Sequence, residues 1–314
     1  MKSFIRGVEL WIPNETRTAL EFGGGLYDDE MLEFREISEL ALFAHDEGLP
    51  GKAWAARRPV ILTRLSDPDF RRADEAKLLR LACGVGIPVF AGDRIAAVMG
   101  LFCGNDEEAS AGAIELWHND AERFHELVLV DGYYGSAGSF EFNSRHITFP
   151  RGYGLPGRAW KADGPVMIKD IEETRQFLRA KEAAEAGINL GFAIPYVTGP
   201  SETWVLSFLS ARRTPIAKRF EIWKPDTSAD ALVFQSGYCS SGRDLDVAFA
   251  GQTIRRGEGT IGRAWASGLP AVSDELKAGA SIAERAAVHA GLGRIVVLPV
   301  FRGHQLQVEI VWYL

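Results

Sequence analysis

The sequence predicts an α+β chain of three tandem modules, each a central antiparallel sheet of about six strands with helices mainly on one face. Three observations carry this. GLPGKAW at 48–54 returns as GLPGRAW at 154–160 and as GTIGRAW at 259–265. VELW at 8–11 returns as IELW at 114–117 and FEIW at 220–223, so Trp11, Trp117 and Trp223 stand 106 residues apart. Pro88, Pro195 and Pro299 mark VGIPVFAG, FAIPYVTG and VVLPVFRG, at steps of 107 and 104. Three landmarks in one period define repeated units of ordinary domain size, expected at 1–107, 108–213 and 214–314.

In the first module, VELWIP and TALEFG read as a hairpin and ISELALFAH as a third strand. GLPGKAWAARR is a glycine-rich turn entering a short helix, and PVILTRL is a strand. RRADEAKLLRLA has helical spacing of its apolar residues. VGIPVFAG and RIAAVMGLFCG flank Gly92-Asp93, a turn pair that closes a hairpin. The expected order is β-β-β-α-β-α-β-β.

Composition narrows the function classes. A formal charge of −7 argues against nucleic acid or an anionic membrane as partner. The opening MKSFIRGVELWIP has no apolar run of a signal peptide, and no stretch of 18 apolar residues occurs, so a cytoplasmic protein is expected. Three cysteines supply neither a disulfide framework nor paired metal-ligand spacing.

The order of elements, the G-[LT]-[PI]-G-[KR]-A-W phrase and QFLRAKEAAEAG before an IP strand together resemble the GAF domain family. Phe177-Leu178-Arg179-Ala180 is the nearest match, with Phe70-Arg71-Arg72-Ala73 in the first module and Ser281, Ile282, Ala283 and Arg285 in the third. The resemblance covers essentially the whole chain. It implies sensory or regulatory modules that enclose small ligands, among them cyclic nucleotides, bilins, haem and amino acids; fold alone does not choose between them. Signalling relatives carry long flanking helices, whereas here only NDEEASAG (105–112) and ARRTPIAKR (211–219) separate the modules, and VEIVWYL closes the third with no output domain.

The repeated motifs read mainly as structure. Gly48, Gly154 and Gly257 or Gly259 permit turns, and Gly51, Gly157 and Gly262 permit close packing, although a helix N-terminus there could cradle an anion. Trp54, Trp160 and Trp265 are apolar anchors on a helix that, by the resemblance, lines the ligand cavity. Glu9, Glu115 and Glu221 share a strand face with the Trp two residues on; with Lys52, Arg158 and Arg263 also recurring, an ion pair within each module is expected. No catalytic partner recurs with them. Phe70, Asp74 and Glu75 match part of a cyclic-nucleotide signature whose preceding Asn-Lys is absent. His118, His125 and His289 form no metal cluster, leaving only haem ligation by one histidine such as His289.

Cys83 and Cys103 support a rival. Free methionine sulfoxide reductases are GAF-fold enzymes working through a cysteine pair, and the turn at Gly92-Asp93 brings Cys83 beside Cys103 if the strand extends that far. Buried cysteine is also a common small hydrophobe.

The last strands predict assembly. Ala96/Val98/Gly100 align with Thr203/Val205/Ser207 and with Gln307/Glu309/Val311, while the opposite face is apolar throughout. Strands apolar on both faces are buried on both, so a neighbouring module is expected to cover modules one and two in a compact array. Gln-x-Glu reads as the water-exposed face of a terminal unit.

The expectation is a non-catalytic regulatory protein binding a small molecule or a protein partner, with no cofactor specified; a homo-oligomer is compatible with it. Ligand-contacting residues are expected at Trp54, Phe70, Arg71 and Cys83, at Trp160, Phe177 and Arg179, and at Trp265, Arg285 and His289. A scaffold with filled pockets is the third alternative.

Overall fold

The computed structural model describes residues 4–65, 70–104, 112–123, 125–171, 177–198, 201–211, 214–226, 228–276 and 281–314. Most of the first expected linker (105–111) and residues 212–213 of the second lie outside the described residues, and so do both expected boundaries in part.

The first module runs β1 (Ile5–Pro13), β2 (Ala19–Tyr27), α1 (Leu32–Leu40), β3 (Leu42–Ala44), α2 (Gly48–Ala56), β4 (Val60–Leu62), α3 (Ala73–Leu78), β5 (Leu81–Ala91) and β6 (Arg94–Gly104). The second repeats it as β7 (Gly112–Asp120), β8 (Glu126–Tyr133), α4 (Gly138–His146), β9 (Phe149–Pro150), α5 (Gly154–Ala162), β10 (Val166–Ile168), α6 (Ala180–Glu185), β11 (Leu190–Val197) and β12 (Glu202–Ser210). The third is β13 (Arg219–Asp226), β14 (Ala231–Cys239), α7 (Leu245–Ala248), β15 (Thr253–Arg255), α8 (Gly259–Ser267), β16 (Ala271–Ser273), α9 (Ile282–His289), β17 (Ile295–Arg302) and β18 (Gln305–Tyr313).

Each module forms a six-stranded antiparallel sheet with the same strand order: β3-β2-β1-β6-β5-β4, β9-β8-β7-β12-β11-β10 and β15-β14-β13-β18-β17-β16. The three-module α+β architecture expected from the repeats is therefore present. Pro195 and Pro299 sit inside strands without breaking a ladder. Strand β10 pairs only with Gly191–Ala193 of β11, and β16 only with Ile295–Val297 of β17, so each proline lies just beyond the short neighbour.

One element differs from expectation. ISELALFAH is split between two elements: its first four residues end α1 at Leu40, and the strand shrinks to Leu42–Ala44. Phe34 and Ser38, one helical turn apart, are both buried, and Ser38 Oγ donates to the Phe34 carbonyl at 2.6 Å. Phe140 and Ser144 of α4 repeat the arrangement at 2.6 Å. A hydroxyl reaches the carbonyl four residues back only on a helix, because four residues along a strand span roughly 13 Å.

The chain divides into two compact units. One comprises Met1–Arg6, Ala56–Val85 and Phe102–Ile216, and the other Gly7–Ala55, Gly86–Leu101 and Ala217–Leu314. In the first unit, Trp117, Val205, Phe140, Leu155, Ala159 and Ala183 join sheet and helices in one core. The opposite face of the same sheet, with Ile114, Leu116, Ile194, Leu206 and Phe208, is buried too. It is covered by first-module residues of that unit: Arg58 lies 4.1 Å over the Trp204 ring, and Phe4 meets Tyr133 at 6.1 Å. In the second unit, Trp223, Ile261, Ala264, Ala287, Val297 and Val311 form the third module's core. There Arg294 Nη1 donates to the Tyr27 carbonyl at 3.2 Å, and Gly92 N–H to the Gly303 carbonyl at 2.9 Å. Neighbouring modules thus meet within each unit, as apolar outer faces require.

The expected exposed face of the third module is overturned at Glu309, while Gln307 two residues before it is half-buried. Glu309 has no solvent exposure. It stands in the ladder between Pro299 and Trp223, as Val205 stands between Pro195 and Trp117. Cross-strand neighbours share a face, so Glu309 points to the helix-covered core and not to water.

Candidate functional site

The interior of each module is organised around the repeated Glu-x-Trp. The indole N–H of Trp11 donates to Glu9 at 3.0 Å, that of Trp117 to Glu115 at 3.1 Å and that of Trp223 to Glu221 at 2.8 Å. All three carboxylates are fully buried. Glu9 also accepts from Tyr27 Oη at 3.0 Å and lies 2.7 Å from Ser38 Oγ, whose one proton is shared between this carboxylate and the Phe34 carbonyl.

At Glu115 and Glu221 the cation is not the one expected. Glu115 is gripped by Arg179, which precedes α6, with Nη2 to Oε2 at 2.9 Å and Nη1 on Oε1. Glu221 is paired with Arg219 on its own strand. Arg158 therefore does not serve Glu115, nor Arg263 Glu221; Arg263 instead donates to Thr260 Oγ1 at 3.2 Å. The residue before α9, the third module's counterpart of α6, is Ser281, which caps it with Glu284 in a reciprocal capping box. The helix-start arginine has been replaced there by one on β13. Burial pushes Glu221 above the ordinary carboxylate range, and Arg219 and the Trp223 indole only partly oppose it.

The Arg179 guanidinium also lies over Phe140 at 4.3 Å, Phe149 at 5.3 Å, Trp117 at 5.5 Å and Phe177 at 5.6 Å. The second module thereby surrounds its own cation with rings and a carboxylate. Arg72, its counterpart before α3, is likewise buried, over Phe70 and Phe102 at 5.3 Å each.

Glycine roles follow the close-packing reading. A Cβ on Gly51, Gly157 or Gly262 would collide with the carbonyl oxygen of Ala44, Pro150 or Arg255. Gly48, Gly154 and Gly259 have φ of 58°, 62° and 62°, in the left-handed region. The anion-cradle reading has an internal answer in the third module, where Glu284 accepts from Thr260 N–H at the start of α8 at 2.9 Å.

The other expected ligand contacts fall in three places. Trp54, Trp160 and Trp265 are half-buried, each with an exposed group nine residues earlier on its ring: His45 at 5.1 Å, Arg151 at 5.8 Å and Arg256 at 5.6 Å. Phe70 and Phe177 are buried in packed cores. Arg71 and His289 are exposed and Arg285 half-buried, with His289 Nδ1 2.7 Å from the Arg285 carbonyl.

Cys83 and Cys103 lie on the adjacent strands β5 and β6, both fully buried and both free. Burial, with a hydrogen bond to the Cys103 thiol, pushes the Cys83 thiol well up. Such a thiol is protonated and a poor nucleophile. Among the described residues no group of three or more His, Cys, Asp or Glu gathers as for a metal, and no helix is long and apolar enough to cross a membrane.

One residue escaped sequence reasoning. Both oxygens of Glu309 lack a hydrogen-bond partner, and burial alone raises its carboxyl well above the ordinary range. The available signal was a column: ten residues past each landmark proline stand Val98, Val205 and Glu309.

Residues 10–119 match the GAF domain family. No curated protein matches the chain. Among solved structures it is similar to a free methionine-R-sulfoxide reductase of Neisseria meningitidis in complex with its substrate, at 20% identity over 31% of this chain and 51% of that one, TM-score 0.25. A GAF domain/HD domain protein of Geobacter sulfurreducens gives 16% identity over 32% and 63%, TM-score 0.26. The GAF domain of a phosphoenolpyruvate-protein phosphotransferase of Coxiella burnetii gives 13% over 32% and 56%, TM-score 0.27. The chain spans between half and two thirds of the length of each.

Proposed function

From the premise that residues 10–119 are a GAF domain, and that three sheet-and-helix modules fit tandem GAF-like repeats, we propose that this chain is a non-catalytic regulatory protein that encloses a small molecule. The observation that carries the reading is the family match, since a GAF domain is a ligand-binding sensory or regulatory module. The three modules divide the work. The second fills its interior with Arg179 and acts as scaffold, which leaves ligand binding to the first or the third. Domain limits near 107 and 213, a cytoplasmic setting and a signalling partner belong to the same reading. Native mass spectrometry of the chain purified from its own host tests it: a small molecule travelling with the protein is expected, and an empty protein under gentle conditions counts against it.

A second reading, thiol–disulfide chemistry at Cys83 and Cys103, is supported by their contact. Their burial opposes it, because neither a substrate nor a reducing partner reaches a thiol that water does not reach.

A further inference from the structure

The third module holds an acid that the fold does not need. Val98 and Val205, at the corresponding positions, are buried valines, so the sheet closes on its helices perfectly well with an apolar residue there. Glu309 replaces that valine with a carboxyl group that has no exposure and no partner for either oxygen. The neighbouring indole cannot help, because Trp223 Nε1 already donates to Glu221. None of the module's other buried charges partners it. Arg219 pairs with Glu221, and Glu284 accepts from Ser281 N–H at 3.0 Å, Ser281 Oγ at 2.7 Å and Thr260 N–H at 2.9 Å. Relative to the second module, whose buried Glu115 and Arg179 balance, the third carries two further buried acids and no further cation. A buried unsatisfied carboxyl is costly, and chains keep such groups where something uses them.

We propose that Glu309 is the recognition group of a ligand site inside the third module, and that it takes a small organic cation bearing N–H donors, a primary amine or an amidine. This rests on the reading of the modules as small-molecule binders and adds which module binds and what chemistry it selects. The Trp223 ring beside Glu309, in contact with Phe234 at 5.4 Å and Phe249 at 5.3 Å, supplies an aromatic wall suited to a cation. The empty site holds a neutral acid. On binding, an ammonium ion donates to the carboxylate and the carboxyl proton leaves to solvent, so one proton is released per cation bound. Access requires local opening, because the group is out of water.

The test uses the full chain with n-butylammonium, benzylammonium and benzamidinium as probes, against 1-butanol, benzyl alcohol and benzamide as uncharged matches. Glu309→Val reproduces the residue of the sister modules and is expected to fold; Glu309→Gln keeps the shape. The expected result is that at least one cation raises the melting temperature of the wild type, that its uncharged match does not, and that both variants lose the response. Calorimetry in buffers of different ionisation enthalpy should show one proton released, with affinity rising roughly tenfold per pH unit until Glu309 is ionised in the free protein. No response to any cation, equal response to the uncharged matches, or an unchanged response in Glu309→Val overturns the proposal. A native molecule carried equally by wild type and Glu309→Val would leave the small-molecule reading standing and remove this one alone.

Discussion

Arg179 and Glu115 meet at two points, Nη1 on Oε1 and Nη2 on Oε2 at 2.9 Å, with both side chains out of water and 64 residues apart in sequence. That bond ties the start of α6 to the central strand β7. Removing one partner strands the other charge in the core. Arg179→Met is therefore expected to cost about 3–5 kcal/mol in urea unfolding, and Arg179→Met with Glu115→Leu to recover much of it. A loss below about 1 kcal/mol for the single change would show that water reaches the carboxylate.

Glu309 gives a stability that depends on pH. Its folded carboxyl titrates well above the unfolded value near 4.5, so between those two values the folded chain holds a proton that the unfolded chain has released. Stability from this group is full below the unfolded value and falls as pH rises toward the folded one. Glu309→Val, free of the penalty, should be more stable than wild type by about 1–3 kcal/mol near neutrality, with the gap closing toward pH 4. A gap of constant size from pH 4 to 8 would contradict the assignment.

Gly157 faces the carbonyl oxygen of Pro150 so closely that an alanine methyl cannot fit. Gly157→Ala should destabilise by about 3 kcal/mol, as overpacking against an unyielding backbone does. Gly164→Ala, where only a distant carbonyl is met, is the control and should be close to neutral.

Cys83 and Cys103 should resist alkylation in the native protein at pH 8 and label fully in denaturant, because burial keeps Cys83 a thiol. Rapid native labelling, or turnover of free methionine-R-sulfoxide that Cys83→Ser abolishes, would instead establish the redox reading.

The strand order was legible because Trp11, Trp117 and Trp223 and the three prolines recur in step, and hairpin turns such as Gly92-Asp93 carry their own chemistry. Helix α1 was hidden because ISELALFAH mixes both periods; the Phe34/Ser38 and Phe140/Ser144 pairs, 106 residues apart, mark it once aligned. The partners of the buried glutamates were hidden for a different reason. Lys52, Arg158 and Arg263 recur in register and look like partners, while Arg179 and Arg219 come from different elements in different modules. Periodicity finds what the copies share and misses a role that has moved between strand and helix. Glu309 was misread because a Gln-x-Glu pattern on a terminal strand imitates a wet surface, and only its ladder position beside Trp223 shows otherwise.

The relocation of the arginine has a consequence for anyone recombining these copies. A hybrid that grafts β7 in place of β13 would meet Ser281 where its glutamate expects a guanidinium, and would bury a naked anion. The reciprocal hybrid would crowd Arg179 and Arg219 onto a single acceptor. Siblings by descent, the three copies have drifted into private dialects, and fragments can be swapped among them only when strand and helix travel together.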